Sequence, residues 1–109
     1  MPPGGIEQAA RFYGEVVGLE RIERPATLAG VGAWFRAGSQ ELHVSEHDGF
    51  VAAVKAHPAF KLSAADLEAL AARVKAVGAE VRWDDRLPRA RRFYSFDPAG
   101  NRLEFLTRD

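Results

Sequence analysis

The chain contains no cysteine, which removes disulfides, thiolate metal sites and cysteine nucleophiles together. Any metal would have to be held by histidine, aspartate and glutamate. The 15 Lys and Arg residues balance the 15 Asp and Glu residues, so there is no basic surplus of the kind that draws nucleic acid or an anionic membrane. No apolar run approaches the length of about 20 residues that crosses a bilayer, and the first residues lack the charged-then-apolar order of a secretory signal. Neither nucleic acid nor membrane is expected as a partner, and the expected setting is cytoplasmic. A chain of 109 residues is long enough for one core and too short for two.

What is present is punctuated by glycine and proline. After a Pro-Gly opening, Ile6, Ala9, Ala10, Tyr13, Val16 and Val17 recur at helical spacing, and Gly18 offers a left-handed cap. Residues 19–24 predict a short strand, stopped by Pro25. Residues 32–37, with Trp34 and Phe35, and residues 40–46 predict a hairpin turned at Gly38-Ser39. Residues 57–62 predict a strand, and Ser63 with Asp66 three positions on opens a helix that runs to Gly78. Strands are expected over 79–83, 92–96 and from Arg102, the last entered through the turn Asp97-Pro98-Ala99-Gly100-Asn101.

The two halves repeat one pattern of helix, glycine, strand, loop, aromatic strand, turn and strand. Leu42-His43-Val44 falls opposite Leu103-Glu104-Phe105 in that repeat, so each half offers one polar residue flanked by apolar ones. Strand alternation turns His43 away from Leu42 and Val44, and Glu104 away from Leu103 and Phe105. A lone Glu in such a place reads as a surface carboxylate; the repeat gives Glu104 a counterpart in His43, and His57 opens the strand before the second helix on the same parity. Two imidazoles and a carboxylate make an open site suited to Fe, Mn, Ni, Co or Zn. Trp34 and Arg36 share one strand face. Trp83, Arg92 and Tyr94 are expected to border the same cleft and, with them, to bind substrate. His47 and the arginines around Pro88 read as solvated or locally balanced by Asp84 and Asp85.

Three stretches, residues 10–19 (Ala-Arg-Phe-Tyr through Val-Gly-Leu), residues 40–44 (Gln-Glu-Leu-His-Val) and residues 97–105 (Asp-Pro-Ala-Gly-Asn-Arg-Leu-Glu-Phe), resemble the vicinal oxygen chelate superfamily. This group includes glyoxalase, bleomycin-resistance proteins, fosfomycin-resistance proteins and extradiol dioxygenases. The resemblance implies an α+β fold of paired βαβββ modules forming an incomplete barrel around a divalent metal. A single domain is expected over 1–109, with a first module over 1–46, a connector over 47–56 and a second module over 57–109. Metal ligands are implied at His43, His57 and Glu104, and Glu104 is also the expected proton carrier. The first module lacks its first strand, so Met1 is expected to be an internal methionine of a longer protein. A homodimer is implied. Two readings stay open: a metal-dependent lyase, isomerase or dioxygenase acting on a small molecule with vicinal oxygens, towards which the ligand set leans, or a metal-free small-molecule binder of the bleomycin-resistance type.

Overall fold

The computed structural model describes residues 1–108. The structure is mixed α+β, as the resemblance implies, with one three-stranded and one four-stranded sheet. The chain divides into two compact units, Met1–Ala52 and Ala53–Asp109, and the division falls inside the stretch read as a connector.

In the first unit, helix α1 (Ile6–Arg11) passes directly into a wider π-helical turn (Phe12–Val16), where the spacing predicts one continuous α-helix. The Val17 N–H reaches back five residues to the Phe12 carbonyl at 2.9 Å, the bond that defines a π turn. Gly14 lies within this turn beside the ring of Phe35. Ile6, Ala9, Phe12 and Tyr13 are buried, as are Ala33 and Phe35 of the sheet, and Tyr13 packs on Phe35 with ring centroids 6.0 Å apart. Gly18 ends the segment at φ 88°, as its position predicts. The antiparallel sheet runs β1 (Glu20–Ile22), β2 (Gly32–Ala37), β3 (Gln40–Ser45) in that order.

In the second unit the order is β4 (Ala59–Lys61), β7 (Arg102–Arg108), β6 (Ala90–Phe96), β5 (Arg82–Asp84). Strand β4 is parallel to β7, and the other pairs are antiparallel. Pairing in β4 begins two residues after His57, because Pro58 has no N–H to give; its carbonyl accepts from the Glu104 N–H at 3.0 Å. Helix α2 (Ala64–Ala76) is capped as the sequence predicts: Ser63 Oγ accepts from the Asp66 N–H at 3.1 Å. Its apolar stripe of Leu67, Leu70, Ala71 and Val74 is buried, as are Phe93, Leu103 and Phe105 of the sheet. Phe105 stacks between Phe60 and Phe93, at 5.5 and 5.2 Å. Asp97 shapes the turn into β7, its carboxylate accepting from the N–H groups of Ala99 and Asn101 and from the Asn101 side chain.

The repeat is preserved in register. Trp34 faces His43 across β2 and β3, and Tyr94 faces Glu104 across β6 and β7. Counted from that correspondence, Met1 is the counterpart of Leu62. Both make the same bond, Met1 to the Ser45 carbonyl and the Leu62 N–H to the Leu106 carbonyl, each at 2.8 Å.

Candidate functional site

In the four-stranded sheet, Phe93 and Phe105 face each other across β6 and β7 and belong to the aromatic core. Side-chain alternation therefore sends Arg92, Tyr94, Glu104 and Asp84 to the opposite face, where the pairs Asp84 with Arg92 and Tyr94 with Glu104 stand directly across from each other. Pairing Glu104 with Ala59 sets the mouth of β4 beside it, and His57 just before that strand leans over.

The outcome is a continuous polar chain. His57 Nε2 lies 3.0 Å from Glu104 Oε1, the Arg92 guanidinium donates to Glu104 Oε2 at 3.3 Å, and the same guanidinium donates to Asp84 Oδ1 at 3.1 and 3.2 Å. Arg86 closes the far end, donating to Asp84 through its backbone N–H at 3.0 Å and its guanidinium at 2.6 Å. The Glu104 side chain is only 8% exposed and Arg92 only 14%. The surface reading of an isolated Glu104 is thereby overturned: it is buried because two partners meet its two oxygens.

Burial works to raise the Asp84 carboxyl, but the bonds from the Arg86 N–H and from the Arg92 and Arg86 guanidinium groups outweigh it and hold the group below the ordinary carboxylate range. Burial works against the charge of Arg92 too, yet the carboxylates of Asp84 and Glu104 push its pKa up. Tyr94 is the aromatic floor of this face: the His57 ring meets it edge-on at 5.7 Å, and the guanidinium carbons of Arg92 and Arg102 lie 5.1 and 4.1 Å from its centroid.

His57 carries the informative detail. Its Nδ1 lies 2.8 Å from the Lys55 carbonyl oxygen, which only accepts, so Nδ1 holds the ring's proton and donates. In the neutral ring Nε2 is then a lone pair, and it faces a carboxylate oxygen. Two acceptors at 3.0 Å repel unless a cation or a second proton lies between them. Two donor atoms each about 2.1 Å from one ion, and roughly at right angles about it, stand about 3 Å apart, and a ligating histidine characteristically anchors its other nitrogen on a carbonyl. The contact is an ion pair when the ring carries a second proton, and its spacing is also that of two ligands on one divalent ion.

Of the three expected donors, His43 belongs to the first unit. There its ring stacks flat on Trp34, with centroids 3.6 Å apart and planes 4° from parallel, and Nε2 donates to Glu41 at 2.8 Å. Among the described residues no group of three or more His, Asp and Glu side chains is gathered as a metal would require. Arg36 shares the face of Trp34 and reaches Glu20 at 3.9 Å, both side chains being exposed.

Trp83 departs from its expected place. It pairs with Phe93 and so lies on the helix side of the sheet, opposite Arg92 and Tyr94; Arg91 stacks on it at 3.8 Å and reaches Glu68 of α2. Trp83 does contribute, with Asp84, Asp85, Ala90, Arg91 and Arg92, to an open hollow of about 480 Å³ at the sheet edge. Strand parity puts Arg102 on the face of Glu104, though sequence reasoning gave it no role, and it missed Asp84 as a member of this face. Asp84 had the detectable signal, an acid eight residues before Arg92 across a hairpin.

A family model described as a glyoxalase-like domain matches residues 4–106. Among solved structures, a Bacillus anthracis protein described as belonging to a glyoxalase family is 38% identical, with a TM-score of 0.92 over 100% of this chain and 88% of that one. A lactoylglutathione lyase from Agrobacterium tumefaciens is 24% identical, with a TM-score of 0.73 over 94% of this chain and 84% of its own. A mutant of the fosfomycin resistance protein FosX from Listeria monocytogenes, complexed with Mn(II) and a dihydroxypropylphosphonic acid, is 17% identical, with a TM-score of 0.81 over 95% of this chain and 84% of its own. Among curated proteins no sequence matches the chain.

Proposed function

The chain belongs to the glyoxalase-like family, and from that premise we propose that it is a divalent-metal-dependent enzyme acting on a small molecule with two vicinal oxygens, His57 and Glu104 supplying two of the metal's ligands. One observation carries the proposal: the lone-pair side of His57, fixed by the bond from Nδ1 to the Lys55 carbonyl, is aimed at a buried carboxylate oxygen 3.0 Å away. The Mn(II) in the FosX complex supports it at the level of the fold.

A mixed imidazole and carboxylate set suits Mn, Fe, Co, Ni or Zn, and such an ion would supply Lewis acidity to a chelated pair of substrate oxygens. The chain's own residues divide the remaining work. Lys55 and Glu104 fix the orientation of His57. Arg92 balances the charge of Glu104 and holds its second oxygen. Arginine guanidinium groups hold both oxygens of Asp84 but only Oε2 of Glu104, so Glu104 is the carboxylate of this face assigned to exchange a proton with substrate. Tyr94 floors the site and keeps water from one side of it.

Metal analysis of protein prepared without nickel resin or chelator tests the proposal. Near-stoichiometric divalent metal in the native chain, lost in His57→Ala and in Glu104→Ala, is expected. Metal-free native protein with an intact fold, which takes up none of these ions when they are supplied, would instead mark a binding protein of the bleomycin-resistance type.

A further inference from the structure

The guanidinium groups on the polar face of the four-stranded sheet are nearly all matched by carboxylates. Arg82 pairs with Glu80 at 2.6 Å, Arg86 with Asp84 at 2.6 Å, and Arg92 with both Asp84 and Glu104. Arg102, beside Glu104, is not. Among the described residues no carboxylate pairs with it; its side chain makes one long hydrogen bond, 3.4 Å to the Val54 carbonyl, and its guanidinium lies on the Tyr94 ring at 4.1 Å. Tyr94, which supports it, is only 5% exposed. A planar guanidinium spread on an aromatic ring is already positioned to offer its fork of N–H donors, the geometry that matches carboxylate and phosphoryl oxygens.

Arg102 precedes Glu104 by two residues on β7, so both side chains leave the same face, about 7 Å apart along the strand. The guanidinium also lies on Tyr94, the residue directly across from Glu104, which sets both charged groups beside one small-molecule site. We infer that the ligand of this site carries an anionic oxygen group, a carboxylate or a phosphoryl group, which Arg102 receives while the ligand's vicinal oxygens face His57 and Glu104.

The inference deepens the metal-enzyme reading and rests on it for the second half of the ligand, but the anion subsite is testable without metal. Metal-stripped protein is titrated calorimetrically with oxalate and with inorganic phosphate, and Mn(II) binding is followed separately by electron paramagnetic resonance. Saturable binding of one or both anions is expected, weakened about tenfold or more in Arg102→Gln, as loss of a charge-assisted pair implies, and less in Arg102→Lys. The stronger probe names the group, carboxylate or phosphoryl. Mn(II) affinity should be undiminished in Arg102→Gln, and thermal melts of both variants confirm the fold. Anion binding that depends on Arg102 in a chain that takes no Mn(II) would sink the metal reading and leave the subsite standing. Equal anion affinity in native protein and Arg102→Gln, or no anion binding at millimolar concentration, overturns the inference.

Discussion

His57 and Glu104, 47 residues apart in the chain, bring Nε2 and Oε1 to 3.0 Å while the other nitrogen of His57 is committed to the Lys55 carbonyl. That commitment makes the contact conditional, since two lone pairs at this distance need a cation or a proton between them.

Replacing Glu104 by Gln separates the two demands. The amide gives His57 a donor and Arg92 an acceptor, so the folded chain is expected to keep its stability to within about 1 kcal/mol, whereas metal affinity should fall by at least about tenfold because an amide is a poor ligand beside a carboxylate. Thermal melts and metal titration of Glu104→Gln read the two effects independently; joint loss of both would argue that Glu104 is structural.

Arg92 joins both carboxylates of the face from a nearly buried position. Arg92→Met should destabilise the fold by about 3 kcal/mol, the cost of leaving buried carboxylates without their cation, measurable by urea unfolding. Arg92→Lys is not expected to restore it, since one ammonium cannot reproduce a fork that donates to Asp84 through two nitrogens and to Glu104 through a third.

Asp84 gives a pH dependence of definite sign. Its folded pKa lies below the ordinary value of 3.8, so between the two values the unfolded chain binds more protons and stability rises with pH. This contribution is complete above about pH 4 and is lost as pH falls below that value. The gap in melting temperature between native protein and Asp84→Asn should therefore narrow from about pH 6 to about pH 3; a constant gap would show that the charge of Asp84 does not matter.

Much of this was legible in the chain because local chemistry and tertiary structure agree. The Ser63 cap, the Gly18 and Gly78 terminations and the Asp97 turn are decided by neighbouring residues. The matching places of His43 and Glu104 in the two halves, each across from an aromatic residue, emerged from strand parity and repeat register. The misplacement of Trp83 has a simple cause: strand period is 2, and a start misjudged by a few residues, 79 instead of Arg82, leaves the facing of the strand undetermined. The π turn at Phe12–Val16 was illegible because its sequence also fits an α-helix, and the burial of Glu104 depended on Arg92 and His57, both distant in sequence.

Two glycines of the first unit should respond oppositely to alanine. At Gly14 an added Cβ would lie 3.7 Å from the Phe35 ring, an ordinary contact, so Gly14→Ala should stabilise by about 0.5–1 kcal/mol through the unfolded state. At Gly32 it would meet the Val44 carbonyl at 2.7 Å and the Arg24 side chain at 2.8 Å, and Gly32→Ala should cost about 1–3 kcal/mol. Denaturant midpoints of the pair check both.

The central claim, that His57 and Glu104 share one cation, is tested most directly by long-range proton–nitrogen NMR of the imidazoles as metal-stripped protein is titrated with Zn(II). The expected result is a His57 Nε2 resonance that moves to the metal-bound position at one equivalent while Nδ1 keeps its proton. A His57 Nε2 resonance that stays in place at excess Zn(II) would contradict the account.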